Sequence, residues 1–196
     1  MKRKILFFAV VTICVAILTV GTAAFFTAED QVHNVITTNG VDIEIEEWQQ
    51  TPDGLKPYPQ DKPIELMPGV TVSKIATIKN MEADAWIRAK FEVVIKDENK
   101  QIMDLSPETL ASIITVPMNE DDWLRKDGDS EWWYYHEAVG AGETTEPLFS
   151  EVIFDGPNMT NEYQNCTVEL TVIAKAVQSA NNGDSAIEAA GWSAAE

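Results

Sequence analysis

Cysteine is nearly missing from this chain: among 196 residues only positions 14 and 166 carry it. Cys14 falls inside an N-terminal apolar run, so once that run is removed no intrachain disulfide can form. Cys166 stands one residue before an alternating run, residues 167–177, and reads as a buried, inert thiol at a strand start rather than a nucleophile. Histidine is as rare, with only His33 and His136. A zinc protease would be expected to show His-Glu-x-x-His, two imidazoles on one helical face plus a general base. Here His136-Glu137 is followed by Ala138, Val139 and Gly140, so the second ligand is missing. No Gly-x-Ser-x-Gly elbow presents a serine. The usual parts for nucleophilic or metal-assisted hydrolysis are therefore lacking, and the sequence predicts no catalytic residue, no cofactor and no metal site. Carboxylate pairs of the glycosidase kind are not decided by spacing, because acids occur throughout.

Basic residues are also few, 14 Lys and Arg against 32 Asp and Glu, for a net charge of −18. A surface of that sign repels nucleic acid phosphates and anionic headgroups, which argues against both as partners. Three of the bases, Lys2, Arg3 and Lys4, precede the uncharged apolar residues 5–20, the layout of a secretory signal. Thr22, Ala23 and Ala24 supply small residues where a signal peptidase needs them, so cleavage is predicted after Ala24, with Phe25 as the new N-terminus. An uncleaved anchor is the alternative, since the apolar stretch on to Phe26 approaches the roughly 20 residues of a membrane span. Removing residues 1–24 leaves 172 of the 196 and takes the net charge from −18 to −21. That length suits one domain. Solubility outside the cell explains the acidity, and cation binding is the sharper alternative. The stretch NEDDWLRKDGDSEWW, residues 119–133, gathers six acids around Gly128, yet an EF-hand with Gly128 at its sixth place needs an acid at position 123, which is Trp123. A solvated acidic loop fits better than a calcium site.

Helix signals are scarce too, and what fills the chain instead is period-two alternation, the mark of half-buried strands. VDIEIEEW places Val41, Ile43 and Ile45 on one face and Asp42, Glu44 and Glu46 on the other. AWIRAKFEVVIK, residues 85–96, repeats the pattern with Arg88, Lys90, Glu92 and Lys96 outward, and TVELTVIAKAV, residues 167–177, repeats it again. Weaker strands are expected over 70–80, 132–139 and 151–154, separated by turn material such as TPDGLKPYPQDKP and GAGETTEP. One short helix is expected in SPETLASI, where Ser106 caps, Pro107 takes the first position and Glu108 favours the positive end of the dipole. A second is expected over 185–190. Strands at this frequency predict an all-β fold, an antiparallel jelly roll or β-sandwich with one or two short helices after a cleaved signal helix. The aromatic run Trp132, Trp133, Tyr134, Tyr135 must project to both faces of a strand; its outward rings either form a glycan platform or lie beneath a loop or a neighbouring subunit.

The stretch Gly21-Thr22-Ala23-Ala24-Phe25-Phe26, followed by Asn34, Thr37, Asn39-Gly40 and Val41-Asp42-Ile43, resembles the leader and first strand of the TasA/camelysin family of Gram-positive secreted proteins. MPGVTVSKIATIKNMEADAWIRAKFEVVI and the C-terminal WWYYHEAVGAGETTEPLFSEVIF and TVELTVIAKAVQSANN are similar to that family through much of the chain. The resemblance implies a jelly-roll domain, export with a SipW-type signal peptidase, and a structural role at the cell surface or in biofilm matrix fibres. It also brings an old metalloprotease label, which the residues present do not support.

The expected organisation is a signal peptide over 1–24, an extended segment over 25–38, the sandwich over 39–178 and a polar tail with a possible short helix over 179–196. The segment 25–38 carries Phe25, Phe26, Val32, Val35 and Ile36, apolar side chains with little reason to dangle in water. It can complete the sheet of a neighbouring molecule once cleavage frees it, or fold back as the first strand of its own sheet. The family resemblance favours self-association into filaments of the secreted protein, with the membrane involved only through the leader. A monomeric surface module binding a glycan or host ligand is the alternative.

Overall fold

The computed structural model describes residues 40–59, 64–65, 67–129 and 131–192. Among these residues ten strands form two five-stranded antiparallel sheets packed as an all-β sandwich. In chain order they are β1 (Ile43–Thr51), β2 (Gly54–Pro57), β3 (Ile64–Glu65), β4 (Thr71–Asn80), β5 (Ala85–Lys96), β6 (Ile114–Thr115), β7 (Trp123–Arg125), β8 (Trp133–Tyr135), β9 (Phe149–Phe154) and β10 (Thr167–Gln178). One sheet runs β2-β1-β4-β9-β6 and the other β3-β10-β5-β8-β7.

The three strongest alternating runs became β1, β5 and β10, while the weaker run 70–80 became β4, ten residues against nine in β1. β5 and β10 pair along their whole length, from Thr167 opposite Lys96 to Gln178 opposite Ala85. Their inward residues include Ala85, Ile87, Ala89, Val172, Ala174 and Ala176, which face Ile43, Ile45 and Ile78 of the first sheet in one core. Small side chains alternate there with branched ones, as interdigitation across about 10 Å between sheets requires. α1 (Pro107–Ile113) follows its sequence signals: the Thr109 N–H donates to the Ser106 hydroxyl at 3.2 Å, and Pro107 sits in the first turn. Among the described residues no helix is long and apolar enough to cross a membrane.

Other expectations were revised by packing. The acidic stretch contains a strand, β7, because Trp123 is a fully buried core residue whose indole N–H donates to the Glu146 carbonyl at 3.1 Å. The run 132–139 is strand only over Trp133–Tyr135, and its ladder resumes as an isolated bridge between Ala85 and Val139. Residues 185–190 form a turn, with the Ala189 N–H on the Ser185 carbonyl at 3.0 Å, and not a second α-helix. The Asn182 amide closes this turn by donating to the Gln178 and Ala190 carbonyls and accepting from the Ala190 N–H at 2.8 Å.

The C-terminal segment therefore folds across the sandwich instead of trailing from it. Residues 179–192 lie over the outer face of the second sheet and bury a second apolar cluster of Trp86, Trp132, Tyr134, Val177, Ala186 and Ala189. The Trp86 indole donates to the Asn182 carbonyl at 3.0 Å. This strap makes the outward positions of β5 and β10, Arg88 and Lys175, as buried as a core.

Candidate assembly surface

A sandwich has sheet edges, and each edge presents unpaired backbone groups that invite another strand unless something blunts it. The outermost strands here are short. β2 has four residues, β7 three, and β3 and β6 two each. Proline guards three of them: Pro57 ends β2 between Pro52 and Pro59, Pro63 precedes β3, and Pro117 follows β6. β7 lies between Asp121-Asp122 and Lys126-Asp127, with charge in the role of proline.

The longest stretch without that protection among the described residues lies on one flank. β3 pairs with β10 only at Thr167 and Val168. On that side residues 169–178 of β10 have no strand partner among the described residues, an edge of roughly 33 Å at about 3.3 Å per residue. In the facing sheet β2 covers β1 only from Trp48 to Thr51, leaving residues 43–46 without a partner on that side among the described residues. β1 and β10 approach each other at this flank, so the two open edges border one side of the core.

A buried ion pair fixes the lower end of this flank. Lys74 of β4 lies 2.7 Å from the Glu47 carboxylate of β1, with its ammonium 4.1 Å from the centre of the Tyr58 ring. The Tyr58 N–H donates to the Glu47 carbonyl at 2.8 Å, tying the end of the β1–β2 hairpin to the same point. Burial pushes the Lys74 ammonium below the usual lysine range, and the Glu47 charge and hydrogen bond only partly restore it. Burial and the same carboxylate raise the Tyr58 hydroxyl.

The residues singled out in the sequence fall in two groups. Thr22, Ala23, Ala24, Phe25, Phe26, Val32, Val35 and Ile36, together with the signal helix, lie outside the described residues. Cys14, His33, Asn34, Thr37 and Asn39 lie outside them too, and the residues that follow are placed. The His136 Nδ1 is 3.0 Å from the backbone carbonyl of Asp122, and its Nε2 is 3.4 Å from Glu137. Among the described residues no three His, Cys, Asp or Glu side chains are grouped as a metal site would require. Asp129 turns inward: burial raises its carboxyl, but hydrogen bonds from the Tyr134 hydroxyl and the Trp132 and Glu131 amides, with the Arg88 charge, outweigh it and hold the group below its ordinary value.

The outward rings of the aromatic run are covered. Trp132 and Tyr134 lie beneath the strap, and the Arg88 guanidinium is sandwiched 4.2 Å from the Trp132 ring and 4.8 Å from Trp192. In this arrangement they offer no open sugar platform. A shallow cleft beside Trp192, of about 530 Å³, is lined by charges of both signs, including Arg88, Lys126, Asp127 and Asp129. Cys166 is buried against the Met103 sulfur at 3.7 Å, and burial raises its thiol above the usual range. A thiol reagent should therefore label the native protein slowly and the unfolded protein at once; rapid native labelling would contradict an inert thiol.

What the sequence missed is the contrast between edges. Its signal was present in the prolines at 52, 57, 59, 63 and 117, but only the pairing pattern tells which strands those prolines flank. Set against models of known protein families and against curated proteins, the chain matches none of either.

Proposed function

We propose that this protein is a secreted structural subunit of the cell surface or biofilm matrix that assembles by strand addition. The N-terminal segment 25–38 of one molecule adds to the open flank of the next, along β10 or β1. The observation that carries the reading is the contrast just described, in which every terminal strand is short and guarded while residues 169–178 of β10 have no second strand partner among the described residues. An added strand gains main-chain hydrogen bonds along that edge. Burial of its apolar side chains contributes about 1.5 to 3 kcal/mol each before the cost of ordering. Donation of this kind is head to tail, and unless the rotation closes a ring it extends into a filament. In this reading the leader is removed by a SipW-type signal peptidase, and the protein has no enzymatic role.

The deciding experiment is negative-stain microscopy and light scattering of the secreted form with and without residues 25–38. Filaments are expected only when the segment is present. A shortened chain that assembles equally well, or a full-length secreted chain that stays monomeric, would refute the proposal. Terminal sequencing should place the secreted N-terminus at or within a few residues of Phe25. With a net charge of −21 on each copy, assembly should strengthen as salt screens the carboxylates or acid neutralises them. Assembly that weakens under both conditions would show that charge repulsion does not oppose it.

A further inference from the structure

Asparagine followed by glycine is the pair most prone to deamidate, because a residue without a Cβ lets its backbone nitrogen reach the side-chain carbonyl before it. The chain holds two such pairs, Asn39-Gly40 and Asn182-Gly183. The second lies where the strap closes. Left-handed residues stand on both sides of Asn182, Asn181 at φ 56° and Gly183 at φ 76°. The Asn182 Nδ2 donates to the Gln178 carbonyl at 2.9 Å and to the Ala190 carbonyl at 3.1 Å, while its Oδ1 accepts from the Ala190 N–H at 2.8 Å. Both polar atoms of the side chain are engaged, and their partners require an amide, with two N–H donors and an acceptor. Glycine is required next to it, since a Cβ at 183 would lie 3.2 Å from the Ala189 nitrogen and from the Glu188 carbonyl carbon. The closure thus depends on the two residue types that together make the reactive pair, and Gly183 is exposed to solvent.

We propose that Asn182-Gly183 is a self-modification site that the closed strap protects and that, once reacted, holds the strap open. The Gly183 backbone nitrogen attacks the Asn182 Cγ; an N–Cγ bond forms, the Cγ–Nδ2 bond breaks, and the side-chain amide leaves as ammonia, carrying the proton that the Gly183 nitrogen gives up. Water then opens the resulting ring at either carbonyl, leaving aspartate or isoaspartate, and no oxidant or reductant is consumed. While the strap is closed, its three hydrogen bonds hold the Asn182 amide on Gln178 and Ala190, so attack waits on local opening. After reaction, position 182 carries a carboxylate, which accepts but has no proton to donate. Its oxygens would meet the Gln178 and Ala190 carbonyl oxygens with no hydrogen between them, and the original closure is lost. The change runs one way and uncovers Trp86, Trp132, Tyr134 and Val177. It does not depend on strand addition, in which residues 179–192 take no part.

The test incubates the purified protein in mildly alkaline buffer, folded and in urea, and follows deamidation at each pair by peptide mass spectrometry. In urea Asn182 and Asn39 should react at similar rates. In the folded protein Asn182 should react about a hundredfold more slowly than in urea, because only the open fraction is competent. Trp192→Ala removes the indole that donates to the Ala186 carbonyl at 3.1 Å and lies against Arg88, leaving the reactive pair untouched. It should speed the folded-state reaction about tenfold without changing the rate in urea. Asn182→Asp, which is one of the products, should keep its β-sheet circular dichroism while binding a hydrophobic dye and showing red-shifted tryptophan emission. If that variant is recovered unfolded, the reacted fraction of the folded wild-type protein, separable by its added negative charge, takes its place in the same assays. Equal rates at Asn182 in folded and unfolded protein, or a folded-state rate that Trp192→Ala leaves unchanged, would overturn protection by the strap. Dye binding and emission at wild-type levels after the conversion would overturn the opening, and no reaction at Asn182 in urea would sink the chemistry itself.

Discussion

Replacing Glu47 by leucine should destabilise the protein by about 3 kcal/mol, because it leaves the Lys74 ammonium buried without its carboxylate. Lys74 is 4% exposed, so its charge has little access to water. For a domain of this size that loss corresponds to a fall of roughly 6–12 °C in melting temperature. Glu47→Leu with Lys74→Met should recover most of it, since removing both charges leaves nothing unpaired in the site. The pH dependence follows from the direction of the lysine shift. Burial holds the folded-state pKa of Lys74 below its unfolded value, so the unfolded chain binds more protons between the two, and this group favours folding increasingly as pH rises through that window. Glu47→Leu removes both influences that raise the lysine pKa and widens the window. The deficit relative to wild type should therefore shrink between pH 7 and pH 9.5, as measured by urea denaturation. A deficit that stays constant or grows over that range would show that the charge on Lys74 is not what costs stability.

Ending the chain after Ser179 should have a comparable or larger effect, about 4 kcal/mol. The strap contributes no strand, yet it covers Trp86, Trp132, Tyr134 and Val177. Re-exposing apolar side chains costs on the order of 1.5 to 3 kcal/mol for each that is fully uncovered, and these would be uncovered only in part. The shortened protein should bind a hydrophobic dye and show red-shifted tryptophan emission while keeping its β-sheet circular dichroism, because the core between the sheets is untouched. Asn182→Ala, which deletes the three hydrogen bonds closing the strap, should give a milder loss of about 2 kcal/mol in the same assays. Unchanged stability and emission in the truncated chain would mean that the strap is not a structural cover.

These two results concern the features that sequence patterning handled least well. Alternation puts Glu47 on the inward face with Val41, Ile43 and Ile45, but nothing local in the sequence tells that Lys74 would stand beside it. The pairing of β1 with β4 sets Glu47 opposite Ala76, and Lys74, two residues before Ala76 on the same face of β4, comes within 2.7 Å of the Glu47 carboxylate. The strap was read as polar tail because Asn, Gly, Asp, Ser and Ala dominate it. Its burial comes from small alanines that fit between large rings contributed by other strands, a complementarity invisible in the segment alone.

The local alternation of residues 85–96 and 167–178 was sufficient to determine β5 and β10, because side chains of opposite polarity sort to opposite faces wherever one face is buried. The cap at Ser106 and Pro107 was equally self-contained, for a helix start is satisfied by groups within one turn. The lack of a His-Glu-x-x-His or Gly-x-Ser-x-Gly pattern was likewise legible in the sequence alone. Which strands pair, and so which edges stay open, was beyond the sequence, since pairing is a choice among distant segments of similar pattern. The same limit hid β7 within an acidic stretch: Trp123 is buried because Tyr135 and the Glu146 carbonyl converge on it from elsewhere in the chain. Local chemistry thus set the elements, while non-local packing decided their neighbours, the covering of the aromatic face and which edges are left without a strand partner among the described residues.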